Sequence, residues 1–210
     1  MEVLLFSVVV AALTALGLLI LIAAMIYLWL GRRAYEQTWI ELARRSNLSY
    51  LAGGFFKHPY LEGQYRNRAV TLDIHSHRAG SGSDSGNFPF TRLQIAIHNP
   101  NRLKLIVQDK HRLPSFLKAT TPSGDPAVDS KFTIISAPPD LAIKMFNSSS
   151  LRERILAANS FNLEISNQSL IFESRGIEKE VDDLLFMFEL QSDIAAFIES
   201  ARPAFSPGIN

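Results

Sequence analysis

Residues 3–30 form an uninterrupted apolar run, and Gly31, Arg32 and Arg33 follow it immediately. As an α-helix this run of 28 residues is about 42 Å long, whereas the hydrocarbon core of a bilayer is about 30 Å thick. The run therefore predicts a single transmembrane helix, and the rest of the chain must fold beside a membrane. We assign residues 1–33 to this N-terminal anchor.

A cleaved signal peptide is the main alternative for this run. Such a peptide has a basic start, an apolar region of about 7–15 residues and small residues at the cleavage site. Here the chain starts with Met1 and Glu2, the run is far longer, and bulky residues occupy positions 27–30. We therefore expect a retained anchor, with Tyr27 and Trp29 in the headgroup region, where amphipathic rings are favoured.

The basic residues around the run predict its orientation. Arg32, Arg33, Arg44 and Arg45 follow the run, and no Lys or Arg precedes it. Because Lys and Arg near a transmembrane helix favour the cytoplasmic side, we expect the N-terminus outside and the rest of the chain in the cytoplasm. We place Arg32, Arg33 and Trp39 at the membrane interface, although the helix face that carries Trp39 could instead pack on the domain. The absence of cysteine is compatible with a reducing compartment.

The chain after the anchor is long enough for one domain with its own hydrophobic core. We place this domain at residues 34–202 and a flexible tail at residues 203–210. From residue 31 onward, 21 Lys and Arg residues stand against 19 Asp and Glu residues, so the net charge is about +2. A nearly neutral domain does not predict nucleic acid as a partner.

Segments of alternating apolar and polar residues predict a sheet. In one of them Val70, Leu72 and Ile74 alternate with polar residues, which is typical of a half-buried strand. The predicted strands span residues 61–66, 69–77, 90–98, 103–107, 132–136, 161–165 and 169–173, with a Gly- and Ser-rich loop at 78–87. Their connections are too short for parallel crossovers, which favours antiparallel pairing. Helices are also predicted at 34–46, at 138–146 and at 150–158, where a capping box begins the last of them. A long amphipathic helix at 178–200 completes an α+β domain in which this helix packs on one face of the sheet.

Asp73, His75 and His77 are the candidate metal ligands. On a strand these residues share one face, because side chains at i, i+2 and i+4 point the same way. Two imidazoles and a carboxylate can bind zinc and leave a fourth position for water. The alternative is an exposed strand face that carries two histidines. His98 is not expected to contribute, because pairing of the two strands places it near Arg68.

A second candidate surface is a basic stretch between residues 102 and 118. It contains one acid, Asp109, and five basic residues: Arg102, Lys104, Lys110, Arg112 and Lys118. Each Lys or Arg near an anionic leaflet contributes about 1 kcal/mol to membrane binding, so this stretch could contact lipid or a partner. The alternative is an ordinary solvated face, because these residues are spread along a strand and a loop.

Sequence motifs give little support to an enzyme. The chain lacks cysteine and the motifs G-x-S-x-G, G-x-x-x-x-G-K-[ST] and G-x-G-x-x-G. We therefore expect no cofactor and favour a protein without enzymatic activity.

Several residues along the domain follow the pattern of a known group of proteins. They are Trp39, Leu42, Ala43, Leu48, Gly63, Tyr65, Arg66, Arg68, Val70, Leu72, Thr91, Arg92, Leu93, Asn99 and Pro100. In these residues the chain resembles a family of uncharacterised bacterial proteins, cyanobacterial ones among them, with an N-terminal anchor and a cytoplasmic α+β domain. The resemblance implies this architecture and an inner membrane of the plasma or thylakoid type. It implies no activity.

Three hypotheses about function follow from these observations. The preferred one is a membrane-tethered, non-enzymatic binding module or accessory subunit of a membrane complex, which holds a protein partner at the inner leaflet through its sheet face and its flexible loop at 78–87. The second is a metal-dependent hydrolase centred on Asp73, His75 and His77. The third is a sensor of anionic lipid that uses the basic stretch.

Overall fold

The computed structural model describes residues 2–54, 57–79, 86–110, 120–158 and 161–201. Within these ranges the chain forms helices and strands in a mixed order. The helices are α1 (Glu2–Ser46), α2 (Pro126–Lys131), α3 (Pro139–Asn147), α4 (Ser149–Ala157) and α5 (Val181–Ser200). The strands are β1 (Ser49–Leu51), β2 (Tyr60–Tyr65), β3 (Arg68–Ala79), β4 (Gly86–Ala96), β5 (Lys104–Asp109), β6 (Phe132–Ala137), β7 (Phe161–Ser166) and β8 (Ser169–Arg175).

Helix α1 is one continuous helix that contains the apolar run. Its 45 residues contain no proline and correspond to a length of about 68 Å. Among the described residues it is the one helix long and apolar enough to cross a membrane, with a mean hydropathy of 2.5 in a window of which 0% is buried. The predicted apolar helix is therefore present, and the large side chains that the structure describes in its apolar part, such as Leu13 and Ile26, are exposed.

The last turns of α1 belong to the hydrophobic core of the domain. Tyr35, Trp39, Leu42 and Ala43 are all buried, and Trp39 has 0% of its surface exposed. The Trp39 indole Nε1 donates to the carbonyl oxygen of Glu178 at 3.3 Å. Of the two placements considered for Trp39, the membrane interface is therefore wrong and packing on the domain is observed. The spacing of these residues along one helix face directs the indole against the domain instead.

The strands form one sheet in the order β1-β2-β3-β4-β8-β7-β5-β6. Every pair of neighbouring strands is antiparallel, and the β7–β8 hairpin lies between β4 and β5. This arrangement confirms the predicted α+β class with an antiparallel sheet. It also brings β3, β4 and β8 side by side, although β8 is far from the other two in sequence.

One face of the sheet packs against helices. Its alternating residues, such as Leu72, Leu93 and Phe172, are 3% exposed or less. They meet α5, whose Leu184 and Phe188 are also fully buried, so the predicted packing of the last helix on the sheet is confirmed.

The other face, which we call the open face, carries the alternate residues of the same strands. In the described part of the chain none of its residues is buried. Its central members are Thr71, Asp73, His75, His77, Phe90, Arg92, Gln94, Ile106, Gln108, Asn162, Glu164, Ile171 and Glu173.

Two short elements and several strand ends differ from the prediction. The three-residue β1 and the six-residue α2 were not expected. Asp125 starts α2 by accepting a hydrogen bond from the amide of Ala127 at 2.7 Å, which satisfies an amide of the first turn. Strand β3 extends to Ala79 and β4 begins at Gly86, so the predicted loop is shorter than expected at both ends. Residues 80–85 lie outside the described residues.

Candidate functional site

The centre of the open face is a shallow depression of about 460 Å³ across β3, β4, β8, β7 and β5. Polar groups at one end, including His75, His77 and Glu173, adjoin the apolar side chains of Ile106 and Ile171. A concave surface with apolar area and a few convergent polar groups is the usual form of a binding site. This depression is therefore the candidate functional site.

Two histidines and one glutamate converge at this end of the depression. One ligand atom each from His75, His77 and Glu173 can be chosen so that all lie within 4.8 Å of one another. His77 Nε2 lies 2.9 Å from Glu173 Oε2, and the two imidazole rings meet edge to face with centroids 4.8 Å apart. The ring of Phe90 packs against His77 at the same centroid distance. We call these three polar residues the His–His–Glu cluster.

The strand order explains why these residues meet. His75 and His77 are two positions apart on β3, so they share a face. Glu173 on β8 is opposite Arg92 on β4, and Arg92 is opposite Asp73 on β3. Glu173 is thus level with Asp73 and not with His77, so the 2.9 Å contact of Glu173 with His77 is a diagonal one between long side chains that reach over β4.

Asp73 does not join the two histidines. Its carboxylate accepts two hydrogen bonds from Arg92, at 2.9 Å to Nε and 2.6 Å to Nη2. This contact raises the pKa of the Arg92 guanidinium, against the opposing effect of its partial burial. This bidentate ion pair occupies both carboxylate oxygens of Asp73. The cluster in the structure therefore has Glu173 in the place predicted for Asp73.

His98 lies after β4 and outside the cluster, in agreement with its exclusion as a ligand. Its backbone amide donates to Glu199 Oε1 at 3.1 Å, near the end of α5. Glu199 also pairs with Arg68, whose Nη2 donates to Oε2 at 2.6 Å. The hydrogen bond from Arg68 lowers the pKa of the Glu199 carboxyl, while partial burial opposes the change.

Glu173 is the site residue that the sequence did not reveal. It lies in a predicted strand, 96 residues after His77 along the chain. The alternation of Ile171 and Glu173 with the buried Leu170 and Phe172 indicates that both belong to an outward face. Only the pairing of β8 with β4 places that face beside β3.

The end of the apolar segment is fixed to the first loop of the domain through Arg32. Its guanidinium donates to the carbonyl oxygens of Gly53 and Gly54 at 3.0 Å each and of Lys57 at 3.3 Å. Its Nε donates to Glu36 Oε1 at 2.5 Å. We call this set of contacts the Arg32 clamp. Arg32 therefore has a structural role besides the predicted one at the membrane interface.

His58 adjoins the clamp on the domain side. Its Nδ1 lies 3.3 Å from the hydroxyl of Tyr35. Partial burial lowers the pKa of His58, and the nearby positive charge of Arg32 acts in the same direction. Both effects favour the neutral imidazole, which can accept a hydrogen bond from the tyrosine hydroxyl.

The other residues predicted at the membrane interface lie along α1. Tyr27 is 79% exposed and Arg33 is also exposed. Trp29 lies in α1, but its side chain is outside what the structure describes. Contact of Tyr27, Trp29 and Arg33 with headgroups stays a prediction.

The structure spreads the described members of the basic stretch. Arg102 lies in the turn before β5 with a φ of 49°, and Lys104 begins that strand. Lys110 lies beyond the other end of β5, about 20 Å from Lys104 by strand geometry, and its Nζ donates to the carbonyl oxygen of Asp129 at 3.2 Å. Arg102, Lys104 and Lys110 therefore do not form one cluster. Arg112 and Lys118 lie outside the described residues.

Comparison with known proteins gives one structural likeness. No protein-family model and no curated protein sequence matches this chain. Among solved structures, the chain is similar to the mycobacterial trehalose monomycolate transport factor A, TtfA, with a TM-score of 0.56. The alignment covers 83% of this chain and 99% of that one at 8% sequence identity. At this identity, what this chain has in common with the mycobacterial protein is its fold.

Proposed function

We propose that this chain is a membrane-tethered, non-enzymatic accessory protein of a membrane complex. In this proposal α1 anchors the chain, the domain lies in the cytoplasm, and the open face holds a protein partner. The observation that carries it is the double character of α1. Its first part exposes apolar side chains and its last turns form part of the domain core.

The exposed part of α1 supports the membrane tether. Leu13, Leu16, Leu18, Leu19 and Ile20 are between 55% and 64% exposed. Burying one such side chain fully contributes about 1.5–3 kcal/mol, so the segment has a strong preference for an apolar medium. The helical backbone satisfies its own hydrogen bonds, which a bilayer requires.

The open face supports the binding of a partner. It combines half-buried apolar residues, such as Ile106, Ile135 and Ile171, with charged residues such as Arg92 and Glu164. Binding surfaces of soluble proteins commonly combine an apolar centre with polar surroundings. The name of the structurally similar mycobacterial protein describes a transport factor, which is consistent with an accessory role.

Site-specific photocrosslinking tests the partner surface. A photoreactive amino acid would replace Ile106 or Ile171 on the open face, with exposed Lys144 on α3 as the matched control. In native membranes we expect the same crosslinked protein from both open-face positions and not from Lys144. No crosslinked protein at either open-face position, or the same one at all three, would refute the proposed surface.

Single-cysteine labelling tests the orientation, because the natural chain contains no cysteine. Cells that produce the variant Glu2→Cys or Ser149→Cys would be stripped of their wall and any outer membrane, with the inner membrane left intact. They would then be treated with a maleimide that does not cross membranes. We expect labelling at position 2 before lysis and at position 149 only after detergent is added. The reverse pattern would show that the domain lies outside. Labelling of both positions before lysis would contradict the membrane tether.

A further inference from the structure

We propose that the His–His–Glu cluster binds one divalent transition-metal ion, for which Zn²⁺ is the representative probe. The donors would be one imidazole nitrogen each from His75 and His77 and one carboxylate oxygen from Glu173. This set, completed by a water molecule, is a common coordination sphere for zinc. The inference concerns the open face but does not depend on the identity of a protein partner.

The spacing of the three donors fits a small ion. With zinc–ligand bonds of about 2.0–2.1 Å, tetrahedral ligands are about 3.3 Å apart. The three donors already lie within 4.8 Å of one another, and His77 Nε2 lies 2.9 Å from Glu173 Oε2. Small rotations of the three side chains, without movement of the strands, would bring the donors to the required spacing.

Neighbouring residues leave Glu173 available as a ligand. Arg92 lies opposite both Asp73 and Glu173 in the sheet, and its guanidinium forms its two short hydrogen bonds with Asp73. The Glu173 carboxylate instead contacts His77. Asp73 therefore has an indirect part in the site, because it accepts the side-chain hydrogen bonds of Arg92, which lies opposite Glu173.

The cluster has one protected side and one accessible side. The ring of Phe90 covers an edge of His77, which restricts the rotation of the imidazole. His77 and Glu173 have 47% and 14% of their side-chain surface exposed, so the ion can enter from the depression. A water molecule on that side would complete the coordination. The chemistry required is reversible binding alone, since no bond of a substrate is formed or broken.

Zinc titration of the full chain in a mild detergent tests the site. Isothermal titration calorimetry would compare wild type with His77→Ala, Glu173→Gln and the matched control His98→Ala. Co²⁺ absorption would report tetrahedral coordination. We expect one Zn²⁺ per chain. In His77→Ala the affinity for Zn²⁺ should fall by at least about 100-fold, since loss of a residue that only hydrogen-bonds to a metal ligand already costs about 10–100-fold. His98→Ala should bind as wild type does, because His98 lies outside the cluster.

The results separate this site from incidental binding by surface histidines. Absence of 1:1 binding in wild type would overturn the inference, as would an equal loss of affinity in His77→Ala and His98→Ala. Glu173→Gln keeps the size of the side chain, so reduced binding with an unchanged circular dichroism spectrum would support a ligand role. Unchanged binding in that variant would overturn it. Crosslinking at Ile171 in metal-free membranes tests the partner separately, so either proposal can fail alone.

Discussion

Replacement of Trp39 by alanine is expected to destabilise the domain strongly. The indole is fully buried, packs edge to face on Tyr35 with ring centroids 6.2 Å apart, and donates to the carbonyl oxygen of Glu178. Removal of a buried aromatic side chain of this size costs about 3–5 kcal/mol, because apolar contact is lost and a cavity remains. The carbonyl of Glu178 also loses a donor, at a cost of about 1 kcal/mol that lies within the same total.

Thermal unfolding of the full chain in detergent measures this effect. A loss of about 3–5 kcal/mol corresponds to a fall in Tm of about 6–20 °C for a domain of this size. Trp39→Phe is the matched control, since it keeps an aromatic ring and loses the indole donor. It should cost about 1–2 kcal/mol.

The same variant distinguishes a core residue from a membrane-interface residue. If Trp39 contacted headgroups, its replacement would weaken membrane retention and leave the unfolding of the domain almost unchanged. A change in Tm below about 2 °C for Trp39→Ala would refute the reasoning from burial.

Two further outcomes are expected from the Arg32 clamp and from the end of α5. Gly53→Ala should lower the unfolding free energy by about 1–3 kcal/mol, because a Cβ at this position would lie 2.0 Å from the carbonyl oxygen of Lys57. Gly54→Ala is the matched control: a Cβ at position 54 meets open space, so this variant should unfold like wild type in the same chemical denaturation. The pKa of the Glu199 carboxyl is lower in the folded chain than in the unfolded chain. The ionised carboxylate therefore stabilises the fold at pH values above the unfolded-state pKa, and this stabilisation is lost as the pH falls through the folded-state pKa. Denaturation between about pH 3 and 7 should therefore show a smaller acid-dependent loss in Glu199→Gln than in wild type, and equal losses would contradict a role for the Arg68 contact.

The strands were largely predictable because their signals are local. The alternation around Val70 and Leu72 depends only on which side chains face the core, and the structure shows both of them buried. The long last helix was predictable for the same reason. In contrast, β1 has three residues and α2 has six, which is too short for a periodic pattern to be distinguished from a loop.

The candidate site was only half predictable because its members come from different strands. The two-residue spacing of His75 and His77 places them on one face without knowledge of the fold. The exchange of Asp73 for Glu173 depends on the order of β3, β4 and β8, which the local pattern does not contain. Trp39 shows a related limit, since the helical spacing predicts a covered face but does not distinguish a bilayer from a domain core.

The continuity of α1 makes the direction in which the open face points a matter of helical phase. Each residue inserted between Gly31 and Arg32, which leaves the Arg32 clamp intact, would turn the domain by about 100° about the helix axis and shift it by about 1.5 Å. An insertion of seven residues would almost restore the direction, to within about 20°, but would move the domain about 10 Å further along the axis. A partner bound to the open face and held in the same membrane would therefore tolerate a change in the length of this segment only if its own position allowed both the rotation and the shift.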